Sequence, residues 1–294
     1  MDVRRCKGQI ETELSKFIEQ MGEKNQLRDA CEYALMCGGK RLRPLIVLMV
    51  ADALGFGLDV WPAALSVEFF HTASLIADDL PCMDDDDVRR SRPSLHKVFG
   101  ESVAILASYT LIAEGYGCIW KCSENMRKMP KFAGLAERAA LSCLEAATRC
   151  AGIQGATNGQ FLDLYPPDLK LETIQKIMIQ KTVTLFEISF TFGWLFGGGN
   201  PAELSAIREC AYHLGMAFQI SDDLEDLDQD GGGINIAKVL GREAAVSLFE
   251  KETALLKDSL KGLGLWTAPF QELFHQLSGR CDLGGSLLIQ NGAR

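Results

Sequence analysis

Apolar residues recur at three- and four-residue intervals along stretches 10–20, 27–36, 45–54, 60–79, 98–120, 133–151, 172–195, 202–227 and 243–260. That spacing lays an apolar stripe along one face of an α-helix, and the stripe must be buried against other helices. Period-two runs of β-branched residues between tight turns, the mark of strands, are nearly absent. Breaks fall at Gly38-Gly39, Gly55–Gly57, Pro81, Met129-Pro130, Pro166-Pro167, Gly197–Gly199 and Gly231–Gly233. No linker, charge block or repeat divides the chain. The pattern predicts one all-α domain over 1–294, a helical bundle with polar sites in its core, and a flexible tail after residue 282.

A length of 294 residues is ample for a full core, and 47% apolar with 23% charged residues is ordinary for a soluble protein. The net charge of -9 argues against broad binding to nucleic acid or to an anionic membrane. Any anion must therefore be met locally, by clustered Lys and Arg or through a metal. The ten cysteines form no CxxC pair, and there are only four histidines, so zinc-ribbon chemistry is excluded. The amino terminus lacks the apolar core of a signal peptide, and the best apolar runs are interrupted by Asp52 and Glu187. A cytoplasmic chain with no membrane insertion is the expectation.

The stretch Val67–Pro93, VEFFHTASLIADDLPCMDDDDVRRSRP, runs from an unbroken apolar segment into six aspartates within ten positions, then Arg89, Arg90 and Arg92. Charge is costly to bury unpaired, so such a cluster is either a solvated loop or a metal site. A solvated turn leaves unexplained why the acids close an apolar helix and why arginines follow at once. Acid, apolar wall and base together suit an anion held through a divalent cation. His71 lies in the same stripe, two turns before the acids.

Other segments carry the same chemistry. GGKRLRP, 38–44, sets Lys40, Arg41 and Arg43 in a glycine turn that Pro44 converts into a helix, a ready phosphate site. Gln160 and Asp163 stand three apart in GIQGATNGQFLDLY, and Lys181 and Thr182 interrupt an apolar helix, where the lysine either snorkels to solvent or needs an anionic partner. MAFQISDDLED, 216–226, repeats the opening theme, with Asp222 stacked over Asp226 at i, i+4 spacing. Like charges so placed destabilise a helix unless a cation sits between them. Two carboxylate clusters with oxygen donors suit Mg2+, and the apolar stretches beside them suit a hydrophobic tail on a diphosphate. Neither a P-loop nor a Rossmann fingerprint is present.

The stretches GGKRLRP, DDLPCMDDDDVRRSRP, KVFGE, GQFLDL, QKT, FQISDDLED and NIAKVLG together resemble the trans-isoprenyl diphosphate synthases, in the family's order and spacing from about residue 27 to about 250. DDLPCMD and HKVFGE are most similar to geranylgeranyl and bacterial-type farnesyl diphosphate synthases. The resemblance implies an all-α isoprenoid-synthase fold around a central cavity, usually a homodimer. It also implies condensation of isopentenyl diphosphate with an allylic diphosphate. By position, Asp78, Asp79 and Asp84 would hold magnesium on the allylic diphosphate, with Asp222, Asp223 and Asp226 facing them and Arg89 touching it. Lys40, Arg43, His71 and Arg90 would hold isopentenyl diphosphate; Lys181, Thr182, Gln219 and Lys238 would line the reaction centre.

Farnesyl-length enzymes tend to place a bulky side chain where Ala73 and Ser74 stand, so the product tail is expected to pass these small residues. Phe70, one turn deeper by ~5.4 Å, would form or support the floor and favour a twenty-carbon product. Two departures from the family pattern stand out. Ser108-Tyr109 replaces Gly-Asp, and Tyr109 could intrude on the cavity; Asp230 with three glycines replaces a lysine loop. The alternatives are a farnesyl diphosphate synthase, a non-catalytic subunit of a heteromeric synthase, a terpene cyclase and a magnesium-dependent diphosphohydrolase. Cyclases usually keep one aspartate motif and non-catalytic subunits tend to lose motif aspartates; here both motifs are intact.

Overall fold

The computed structural model describes residues 2–227 and 234–286, with side chains through Gly279, and it is almost entirely helical. Asp230 and Gly231–Gly233, and the tail beyond Ser286, lie outside the described residues. The helices are α1 (Val3–Glu19), α2 (Gln26–Leu35), α3 (Leu42–Leu54), α4 (Trp61–Asp78), α5 (Leu95–Phe99), α6 (Glu101–Arg127) and α7 (Ala136–Ala151). After them come α8 (Ala156–Leu164), α9 (Leu171–Met178), α10 (Thr184–Phe196), α11 (Leu204–Glu225), α12 (Ile236–Leu240), α13 (Arg242–Gly262) and α14 (Ala268–Ser286). A two-residue hairpin, β1 (Val88–Arg89) against β2 (Arg92–Pro93), is the only sheet among the described residues.

The periodic stretches fall largely within helices, but 98–120 is split at Gly100 between α5 and α6, and α8 and α12 lie outside every stretch. Stretch 172–195 is not one helix: a π-helical turn, Ile179–Val183, separates α9 from α10. Helix α14 has no counterpart in the periodicity, because its sequence carries Pro269 and several glycines. The chain groups into two compact units. They are Met1–Thr148 with Ile188–Pro201, and Arg149–Glu187 with Ala202–Arg294.

In the first unit α1 is capped by the Asp2 side chain, which accepts from Arg5 N, and buries Cys6, Ile10, Leu14 and Ile18 on one stripe. Helices α4 and α6 form the main packed pair. Ser66 Oγ donates to Gly115 O at 2.8 Å and Ser108 Oγ to Ala73 O at 3.0 Å, so small residues let the two backbones approach. Helix α6 is long and rich in apolar residues, interrupted by Glu114. By length and composition it is the one described helix able to cross a bilayer. Its apolarity extends round the helix: one side packs on α4, while Ile105, Leu106, Tyr109 and Ile112 are exposed.

In the second unit α11 is the hub, packed against α13, α14, α12 and the π turn. Gly215 of α11 lies against Val183, where an added Cβ would sit 2.9 Å from the Val183 Cα. That close approach brings the polar end of α11 beside Lys181 and Thr182.

Candidate active site

Within the first unit the acids stand at the end of α4. Asp84 N–H donates to Asp78 O at 2.8 Å, closing residues 79–83 into a loop that carries Asp78 and Asp84 at its neck. The donor set there is all carboxylate oxygen, half-buried at Asp78 and exposed at Asp84, which fits magnesium. Asp79 differs. It is 3% exposed and paired with Arg89, whose Nε donates to its Oδ1 at 2.8 Å; Arg89 also reaches Asp86 at 2.8 Å. Burial raises the Asp79 carboxyl from its ordinary value, and the Arg89 hydrogen bond opposes that rise only in part.

The basic set gathers on the glycine turn. Gly38 and Gly39 have φ of +83° and +121°, and an added Cβ at Gly39 would lie 2.5 Å from the Arg90 guanidinium carbon. The turn is glycine because Arg90 lies on it, donating to Gly38 O. Arg43 Nη1 donates to His71 Nε2 at 3.3 Å. An arginine can only donate, so that ring nitrogen accepts and His71 is the neutral Nδ1–H tautomer. Burial, then the charges of Arg43, Arg90, Arg41 and Arg89, holds His71 well below its ordinary pKa. Arg43, His71 and Arg90 lie together, and Lys40 is exposed in the same glycine turn.

Arg41, grouped in the sequence with those cations, is instead structural. Its guanidinium is buried, bonding to Glu68 of α4, to Leu35 O of α2, and to Glu11 of α1 at 2.7 Å. No local signal in GGKRLRP distinguishes it, because its partners are distant in sequence.

The chain-length candidates line α4. Phe70 is buried against α6, with Tyr116 at a centroid distance of 5.2 Å, and a Cβ on Gly115 would lie 2.6 Å from its ring. Ala73 is buried, and the half-buried Ser74 turns its hydroxyl back to His71 O at 2.9 Å. Tyr109 is 64% exposed and does not intrude into the unit's interior; Ser108 takes the inward place.

The second unit holds a cavity of about 350 Å³. Lys181, Thr182, Gln219 and Lys238 line it together with Asp163, Asp223 and Asp226. Lys181 and Thr182 are presented by the π turn, a distortion that frees backbone groups and re-aims side chains. Lys181 pairs with Asp163, the anionic partner its apolar setting demands. Thr182 Oγ1 donates to Gln219 Oε1 at 2.8 Å, and Gln219 Nε2 donates to Asp223 Oδ1 at 2.8 Å. Asp223 Oδ2 accepts from Ile236 N at 2.7 Å and its carbonyl from Asn235 at 2.8 Å, tying α11 to α12. Burial lifts the Asp223 carboxyl to about 6, against the Ile236 and Gln219 hydrogen bonds. Asp222 and Asp226 stand one turn apart on α11, an all-oxygen pair that also fits magnesium. The links from Asp163, Asn235 and Ile236 are absent from the sequence expectations, which single out Asp163 without giving it a partner.

The sequence model of the polyprenyl synthetase family matches residues 24–242. The chain belongs to that family. Farnesyl diphosphate synthase of Geobacillus stearothermophilus is 38% identical over 237 residues, covering 80% of this chain and 76% of the relative. Geranylgeranyl pyrophosphate synthase 4 of Arabidopsis thaliana is 34% identical over 256 residues, covering 80% and 66%. Among solved structures, a geranyltransferase from Legionella pneumophila superposes with a TM-score of 0.82 at 28% identity, covering 96% of this chain and 98% of that one. The all-α fold is thus the isoprenoid-synthase fold, and this polyprenyl synthetase is a trans-prenyltransferase of the farnesyl/geranylgeranyl diphosphate synthase type.

Proposed function

We propose that the chain condenses isopentenyl diphosphate with an allylic diphosphate (dimethylallyl, geranyl or farnesyl) and that its main product has twenty carbons. The observation that carries the reading is the cavity on which Lys181, Thr182, Gln219 and Lys238 converge beside Asp223 and Asp226. It supplies fixed cations and oriented hydrogen-bond donors next to carboxylates, as ionising a diphosphate ester requires.

In this reading Asp78 and Asp84, and separately Asp222 and Asp226, hold magnesium, while Asp79 and Asp223 serve as frames through Arg89 and through Gln219 with Ile236. Bound magnesium would supply positive charge to the departing diphosphate. Lys181, held by Asp163, and Lys238 add cationic charge that needs no reorganisation during the reaction. Thr182 is kept in place by the chain through Gln219 to Asp223. Arg43, Arg90 and Lys40 hold isopentenyl diphosphate, and neutral His71 buttresses Arg43 without carrying charge. The proton lost in the last step is assigned to the released diphosphate, whose oxygens carry the charge to accept it. Ala73 and Ser74 leave room for the allylic tail, and Phe70, locked against Gly115 and Tyr116, ends it.

The exposed apolar face of α6 is assigned to a second copy of the chain, giving a homodimer, and the setting to the cytoplasm. The reading is tested by magnesium-dependent elongation of allylic primers. Absence of elongation with every primer contradicts it and favours a non-catalytic subunit.

A further inference from the structure

Asp85 and Asp87 take no part in the scheme above, and their neighbour in space is a histidine with no assigned work. His96, on α5, is 7% exposed, yet neither ring nitrogen has a hydrogen-bond partner. A buried imidazole normally satisfies at least its N–H, so this ring is an orphan. One ring nitrogen and one carboxylate oxygen each from Asp85 and Asp87 lie within 4.8 Å of one another. Donors around a single ion with bonds of ~2.1 Å stand ~3–4 Å apart, so the set needs only a small contraction to close on one.

We propose that Asp85, Asp87 and His96 form a binding site for a borderline divalent transition-metal ion, of the Co2+ or Zn2+ kind, separate from the magnesium carboxylates. Imidazole beside two carboxylates selects such ions, whereas magnesium prefers oxygen alone and retains water. Asp85 enters the site from a left-handed backbone position, φ 54°. Asp87 also pairs through Oδ1 with Lys97 at 2.6 Å, and a carboxylate has two oxygens to share between a lysine and an ion. The ion bridges the two ends of the segment that carries Arg89 and Arg90. Asp87 O already accepts from Ser94 N at 2.9 Å, so the metal adds a second clip between the hairpin's entry and α5. Its role is to fix the arginine-bearing hairpin; it touches no substrate, and it stands or falls independently of the prenyl-transfer reading.

The test is a titration of Co2+ into the full chain in excess Mg2+ without substrate, followed by visible d–d absorption. One saturable equivalent is expected, with half-saturation raised at least tenfold by His96→Asn and raised also by Asp85→Asn. Asparagine tolerates the left-handed backbone of position 85, so Asp85→Asn decides the matter should His96→Asn fail to fold. Cys82→Ser, at an exposed thiol nearby in sequence, should leave the titration unchanged. A wild-type chain without the band, variants that titrate as wild type, or a band that disappears with Cys82→Ser would each overturn the site.

Discussion

Arg89 Nε donates to Asp79 Oδ1 at 2.8 Å, so the second aspartate of the first motif and the first arginine after it neutralise one another. Two groups that the family pattern assigns to metal and to diphosphate are joined in this structure. Arg89→Gln should therefore act on stability as well as on catalysis, because it leaves a buried carboxylate without its charge partner. With the arginine one-third exposed, the expected loss is about 1–2 kcal/mol in urea denaturation. In a double-mutant cycle Asp79→Asn should restore part of it. Additive losses would show that the pair is not coupled.

Asp223 sets a pH dependence. Its carboxyl titrates at about 6 when folded against an ordinary 3.8, so the folded chain holds the extra proton between those values. Stability from this group is full below the unfolded pKa and is lost as pH rises through about 6, by about 3 kcal/mol. Asp223→Asn should flatten the urea-midpoint profile between pH 4 and pH 6. An unchanged slope would place the titration elsewhere.

Phe70 is expected to set product length. Phe70→Ala opens the floor and should add about one isoprene unit to the longest product, at a stability cost of ~3 kcal/mol. Gly115→Ala offers the complementary probe, since its methyl would press on the Phe70 ring from the α6 side. Product chromatography reads both; an unchanged ladder in each variant removes Phe70 from the role.

Helix α6 exposes Leu106 at 51% and Tyr109 at 64%, with Ile105 and Ile112 beside them. A contiguous apolar face of this kind is a candidate subunit interface. Leu106→Glu with Tyr109→Glu should halve the mass measured by light scattering while leaving the helical circular-dichroism signal intact. A wild-type monomer would refute the assignment.

Much of this was legible in the sequence because helical periodicity and motif spacing are local properties. The acids after α4, the basic glycine turn and the QKT segment all lie where their spacing places them. What could not be read depends on distant partners. Arg41 sits among the cations of GGKRLRP, yet Glu68, Glu11 and Leu35 O take up its donors in the interior. Charge alone cannot separate it from Arg43, three-dimensional pairing does. The π turn under Lys181 is invisible to a 3.6-residue period, because one extra residue per turn leaves the apolar count on each side intact. Tyr109 points outward for the same reason that Ser108 points inward: adjacent residues on a helix lie about 100° apart, and only packing decides which faces α4.

The most direct measurement is incubation of the chain with labelled isopentenyl diphosphate, each allylic diphosphate in turn, and magnesium, with product length read by chromatography. The account predicts magnesium-dependent elongation ending mainly at twenty carbons. No elongation with any primer would contradict it.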